Sequence, residues 1–161
     1  MTAVLSLGSN LGDRLAHLRA GVEVLRQHAA VEVVSAVHET DPVGVEDQPA
    51  YLNAVALLAT DDSELALVAA HAAEASEGRE RPARWAPRTL DVDVIAVDGV
   101  TSTDPRLTIP HPRAHERAFV LVPWLEVDPS AELPGYGPVA DLLAGLDTAR
   151  VRWFAGPEAI S

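Results

Sequence analysis

Apolar and polar positions recur along this chain with two different periods, and these periods mark out its elements. Residues 2–7 (TAVLSL) form a short apolar run that predicts a strand ending at Gly8. GSNLGD follows as a turn, with Asn10 or Asp13 capping the next helix. Leu11, Leu15, Leu18, Val22 and Leu25 are spaced by threes and fours, which predicts an amphipathic helix to about residue 29. VEVVSAVHE predicts a second strand, DPVGVEDQPA a loop and YLNAVALLA a third strand. Asp61 with Glu64 three residues on resembles a capping box ahead of an alanine-rich helix, and Gly78 is placed to end that helix. GRERPARWAPR has two prolines and no apolar period, so it reads as a loop. Residues 92–97 are β-branched and apolar, a fourth, buried strand closed by the Asp98-Gly99 turn. TIPHPRAHERAFVLVPWLEVDP mixes prolines with a short helix. Pro138 then opens a last helix, VADLLAGL, before a short strand at VRWFA.

The order β-α-β-β-α-β over residues 2–97 predicts an α+β fold, a ferredoxin-like sheet covered by helices with a C-terminal extension. No repeat, low-complexity tract or linker divides the chain, so residues 1–161 are expected to form a single domain. This fold serves many functions, so the chemistry has to be argued from side chains.

Composition narrows the field. Lysine is absent and all 12 basic residues are arginine, which excludes a Walker A lysine, a protein-kinase lysine and Schiff-base chemistry. Cysteine is absent too, which removes disulfides, thiolate nucleophiles and zinc–sulfur sites and fits a cytoplasmic protein. No apolar run is long enough to span a bilayer, and the N-terminus lacks the basic region of a signal peptide. The net charge of −12 argues against broad nucleic-acid binding. The arginines, however, cluster: Arg79, Arg81, Arg84, Arg88, Arg106, Arg113 and Arg117 lie within one stretch of an acidic chain. That pattern points to a small anionic ligand.

The chemistry concentrates in TLDVDVIAVDG. Asp91 and Asp93 flank one valine on a predicted strand, so both carboxylates project from the same face, with Cα atoms about 6.5–7 Å apart. Two ionised carboxylates on a buried strand call for a strong cationic partner. Mg²⁺ suits them, since it takes carboxylate oxygens and keeps phosphate oxygens as further ligands. A lone DxD is more often a strand end paired with nearby arginines. Four arginines within residues 79–88 reverse that balance, because guanidinium forks bind phosphate oxygens bidentately. Tyr51 and Asn53 sit two apart on the third strand and share a face, where an amide can donate and accept at the edge of a heterocycle. Trp85 and Phe119 are candidates to sandwich a flat ring, with core packing the plainer role. His111, between two prolines, serves either as a turn residue or as a phosphate contact.

Four pieces in order, LSLGSN, TDPVG with DQPAYLNA, RWAPRTLDVDV and LTIPHPRAHERAFVLVPW, resemble the 6-hydroxymethyl-7,8-dihydropterin pyrophosphokinases of folate biosynthesis over residues 4 to about 129. The resemblance implies diphosphate transfer from ATP to the pterin hydroxymethyl group, with release of AMP. It implies two Mg²⁺ ions on Asp91 and Asp93, and Arg79 and Arg88 acting on the phosphates during transfer. It places Arg81, His111 and Arg117 on the triphosphate, and His71, Glu74, Trp85, Arg88 and Val94 around the nucleotide. Thr40, Pro42, Val43, Tyr51, Asn53, Trp85 and Phe119 would line the pterin pocket. ATP and the pterin are the expected partners, with neither nucleic acid nor membrane, and the chain is expected to act as a monomer. Departures from the usual pattern are Asp41, where proline is common, His71 for glutamine, Ala86 for glycine, Pro112 and His115 at nucleotide-contact positions, and a 78–85 segment one residue short. The competing class is a non-catalytic ferredoxin-like module for ligand sensing or interaction, which leaves Asp91, Asp93 and Arg88 without a shared purpose.

Overall fold

Seven consecutive residues of the first strand, Ala3–Ser9 (β1), are buried, which places it inside a sheet covered on both faces. The computed structural model describes residues 1–41, 49–77 and 89–161. After β1 come helix α1 (Arg14–Arg26), strands β2 (Val31–Val34), β3 (Val37–Thr40) and β4 (Tyr51–Leu58), helix α2 (Ser63–Ser76) and strand β5 (Asp91–Val97). Helix α3 (Ala118–Val127), the two-residue strands β6 (Glu132–Leu133) and β7 (Gly137–Pro138), helix α4 (Val139–Ala144) and strand β8 (Val151–Ala155) complete the chain.

The main sheet runs β5-β1-β4-β3-β8, with β2 also paired to β4, and every pairing is antiparallel. The period of two then divides its residues. Leu5, Leu7, Ala54, Ala56, Val92 and Val94 face α1 and α2, where Leu18, Val22, Leu25, Ala66, Ala69, Ala70 and Ala73 meet them. Val4, Val55 and Ile95 face the other way, onto Val120, Leu121 and Trp124 of α3. Burying each large side chain in these two layers contributes about 1.5–3 kcal/mol. The layer under α3 covers only part of its face, and the rest is left to the site.

Local chemistry sets the element ends. Asp13 caps α1, its carboxylate accepting from the Ala16 N–H at 3.1 Å. The cap of α2 is Asp62 rather than Asp61, because its Oδ1 accepts from the N–H groups of Glu64 and Leu65 at 3.1 Å. With the helix starting at Ser63, Glu64 stands one position too early for a capping box. The expected helix end at Gly78 lies outside the described residues. The predicted second strand is two strands, broken at Ser35-Ala36. Ser35 Oγ accepts from the Val55 N–H at 2.9 Å and donates to Ala36 O at 2.8 Å. The Ala36 N–H turns to Glu126 on α3 at 2.6 Å. These side-chain bonds replace ladder bonds and let β3 leave the line of β2. VRWFA forms β8 as expected and extends the sheet beyond β3.

Candidate active site

Strand register brings the sequence motifs together. Gly8 pairs with Asp91 on one side and Asn53 on the other, and Asn53 pairs with His38. One step along, Ser6 pairs with Asp93 and Tyr51 with Thr40. Asp91, Asp93, Ser6, Gly8, Asn53, Tyr51 and Thr40 therefore floor one cavity of about 820 Å³. Arg113, Glu116, Arg117 and Phe119 form one wall; Leu146, Asp147, Arg150 and Val151 form the other. Its size and its mixture of apolar and polar lining are those of a small-molecule site.

The floor carries unmet bonding capacity. Asn53 is 4% exposed, and its Oδ1 is buried without a hydrogen-bond partner among the described residues. The same holds for Thr40 Oγ1. A buried oxygen left unpaired costs about 1–3 kcal/mol, which a ligand presenting N–H groups recovers. Gly8 keeps the space open: a Cβ there would lie 3.0 Å from Asn53 Nδ2. Facing Asn53 across β1, the two half-buried aspartates supply negative charge opposite the arginine-bearing wall. Among the described residues no group of three His, Cys, Asp or Glu side chains is placed to hold a metal. Two carboxylates on one face nevertheless suit Mg²⁺, which completes its shell with water and substrate phosphate oxygens.

On the wall, Arg117 lies over the Phe119 ring, 5.6 Å from its centroid. Arg113 Nε donates to Glu116 at 2.7 Å, and that bond holds the Glu116 carboxyl below its usual range. His111 is fixed by its N–H to Ile95 O at 2.8 Å, which seats it against β5 near the aspartates. Burial pushes its imidazole down in pKa; the Asp93 charge opposes this, while Arg117 and Arg113 add to the lowering. His111 is thus biased toward the neutral form.

The expected residues divide into three groups. Thr40, Tyr51, Asn53, Asp91, Asp93, Arg117 and Phe119 line the cavity, and His111 adjoins it. His71, Glu74 and Val94 do not line it. Val94 alternates with Asp93 and packs in the core beneath α1 and α2. Glu74 is buried on α2, and its Oε2 accepts the Val92 N–H at 3.0 Å, joining α2 to β5. His71 is exposed on the same helix. Pro42, Val43, Arg79, Arg81, Trp85 and Arg88 lie outside the described residues. Ser6, Gly8, Asp41, Arg113, Asp147 and Arg150 line the cavity without having been expected there. For Gly8 and Arg113 the signals were the GSN turn and the arginine cluster.

Fold and cavity together define a sheet-and-helix protein with a small-ligand site on one sheet face. The comparisons make the class particular. Residues 4–129 match the model of the 7,8-dihydro-6-hydroxymethylpterin-pyrophosphokinase (HPPK) family, and the chain belongs to that family. The 2-amino-4-hydroxy-6-hydroxymethyldihydropteridine pyrophosphokinase of Mycobacterium tuberculosis is 46% identical, with 91% of this chain and 84% of that one aligned. The Bacillus subtilis enzyme of the same name is 44% identical over 78% of this chain and 77% of its own. A crystal structure of HPPK-DHPS in complex with substrates shares the fold, with a TM-score of 0.65 at 11% identity. That likeness covers 89% of this chain, which spans 42% of the solved one.

Proposed function

We propose that this chain transfers diphosphate from ATP to the hydroxymethyl group of 6-hydroxymethyl-7,8-dihydropterin, releasing AMP, as a step of folate biosynthesis. The observation that carries the reading is convergence. Motif residues scattered from Thr40 to Phe119 meet in one cavity, in a chain that belongs to the pyrophosphokinase family.

The pterin edge, with its N–H donors, meets Asn53 Oδ1 and Thr40 Oγ1, while Trp85 and Phe119 sandwich the ring. Pro42, Val43 and Tyr51 belong to the same pocket. Asp91 and Asp93 would hold two Mg²⁺ ions, which when bound would neutralise charge on the ATP phosphates. The hydroxymethyl oxygen bonds to the β-phosphorus, the bridge to the α-phosphate breaks, AMP departs with the bond electrons, and the hydroxyl proton leaves to solvent. Little covalent chemistry falls to the protein in such a transfer; alignment and fixed positive charge do most of it. Arg79 and Arg88 supply that charge to the transferring group. Arg81, Arg117 and His111 contact the triphosphate, and His71, Glu74 and Val94 lie toward the base, outside the cavity.

For the fold, the ferredoxin-like reading is supported by the strand order: with β2 and β3 taken as one interrupted strand, the first β-α-β-β-α-β elements run fourth, first, third, second across the sheet. The chain is read as one domain that works as a cytoplasmic monomer.

The test is to incubate the protein with Mg-ATP, with and without the hydroxymethyl dihydropterin. AMP and the pterin diphosphate should form together, and only with the pterin present. Binding of the pterin without AMP formation would instead identify a sensing module.

A further inference from the structure

Strand β8 lies beyond the residues matched by the family model, yet it closes one side of the cavity. Val151 pairs with Thr40 and Arg152 with Glu39 on β3. Neighbouring side chains on a strand point to opposite faces, so Val151 lines the cavity while Arg152 projects from the other face, toward α1. The Arg152 guanidinium donates to both oxygens of Asp41, at 2.8 and 3.0 Å, and to Glu39 Oε1 at 3.0 Å. Glu39 Oε2 accepts from Arg14 Nη1 at 3.0 Å, and the same nitrogen reaches Ala50 O at 2.8 Å. Phe154 lies beneath Arg14, its ring centroid 5.6 Å from the guanidinium carbon.

One run of contacts therefore joins Arg152, Asp41, Glu39, Arg14 and Ala50. Asp41 directly follows Thr40, and Ala50 directly precedes Tyr51, the two residues that pair across β3 and β4 in the cavity floor. Exposed ion pairs of this kind add little to global stability. A planar guanidinium that bridges two carboxylates does fix geometry, which a single ammonium cannot do. The aspartates Asp91 and Asp93 stand on β5, two strands from β4 and three from β3, so the fixed geometry is that of one side of the site alone.

We propose that Arg152 is a positioning residue for the pterin side of the site, acting through Asp41 and Glu39 on Thr40 and Tyr51. This rests on the reading above, in which the pterin meets Thr40, Tyr51 and Asn53.

Steady-state kinetics with each substrate varied in turn tests it, on wild type, Arg152→Ala, Arg152→Lys, Asp41→Asn and the double variant Asp41→Asn/Arg152→Ala. Arg152→Ala should raise KM for the pterin about three- to tenfold, with kcat and KM for ATP within about twofold. Arg152→Lys should restore the pterin KM in part. The double variant should be no worse than the weaker single one, as expected of two residues acting through one contact. Melting curves of all variants identify any that is unfolded, and Arg152→Lys keeps the arginine site testable if Arg152→Ala is. An unchanged pterin KM, equal shifts in both KM values or additive effects would overturn the proposal while leaving the activity in place. Absence of wild-type turnover would overturn both.

Discussion

Asp91 and Asp93 illustrate what a single residue spacing can establish. The period of two alone puts both carboxylates on one face of β5, and the cavity lies on that face. The same period puts Val94 on the opposite face, in the core beneath α1 and α2, so the alternation that selected the aspartates also separates Val94 from them. Asn53 and Tyr51 were legible for the same reason as the aspartates. Ser6 and Arg150 were not, because their place in the cavity depends on which segments are neighbours, and local spacing carries no such information. Two predictions belong at this scale. Asp91→Ala and Asp93→Ala should each lower turnover by at least about a hundredfold, since on the proposed role each removes one of the two carboxylates that would hold Mg²⁺ against the phosphates. Each should melt close to wild type, and wild-type turnover in either would remove the metal assignment. Gly8→Ala places a methyl group 3.0 Å from Asn53 Nδ2 and should weaken pterin binding more than ATP binding, measured by separate titrations. Equal affinities in the variant and wild type would show that Asn53 does not hold the ring.

At the scale of elements, helix and strand positions were largely legible and their edges less so. The break between β2 and β3 comes from Ser35 and Glu126 bonding the backbone, and the apolar pattern of VEVVSAVHE contains no trace of a partner ninety or so residues away. Helix α1 packs close to the start of β5. A Cβ on Gly21 would lie 2.8 Å from Leu90 Cδ2 and 3.3 Å from Leu7 Cδ2. In Gly21→Ala, helix propensity would contribute about 1 kcal/mol of stability. Overpacking would cost about 1–3 kcal/mol, and Leu90, 1% exposed, has nowhere to swing. The variant should therefore be less stable in urea unfolding; a gain would mean that Leu90 yields. A pH effect belongs to the junction of β3 and β8. Hydrogen bonds from Arg152, and for Glu39 also from Arg14, hold the Glu39 and Asp41 carboxyls below their usual range. A carboxyl whose pKa is depressed by folding adds stability above its unfolded pKa and loses it as pH falls through the folded value. The small difference in melting temperature between wild type and Arg152→Ala should be present at neutral pH. It should shrink below about pH 4 and vanish in stronger acid. A difference independent of pH would show that Arg152 acts by packing.

For the molecule as a whole, two faces of one sheet do different work. One is filled by α1 and α2 and supplies stability; the other is only partly covered by α3 and keeps its open part for ligand. The family motifs recover the floor and one wall of the cavity, and the C-terminal segment that supplies the second wall lies beyond them. On the proposed function, this cavity brings the pterin and the phosphates of ATP together. A crystal structure with a non-hydrolysable ATP analogue, Mg²⁺ and the hydroxymethyl dihydropterin tests this most directly. The pterin edge should lie on Asn53 and Thr40, with Mg²⁺ between Asp91, Asp93 and the phosphates. Either ligand bound elsewhere, or Mg²⁺ held without these aspartates, would contradict it.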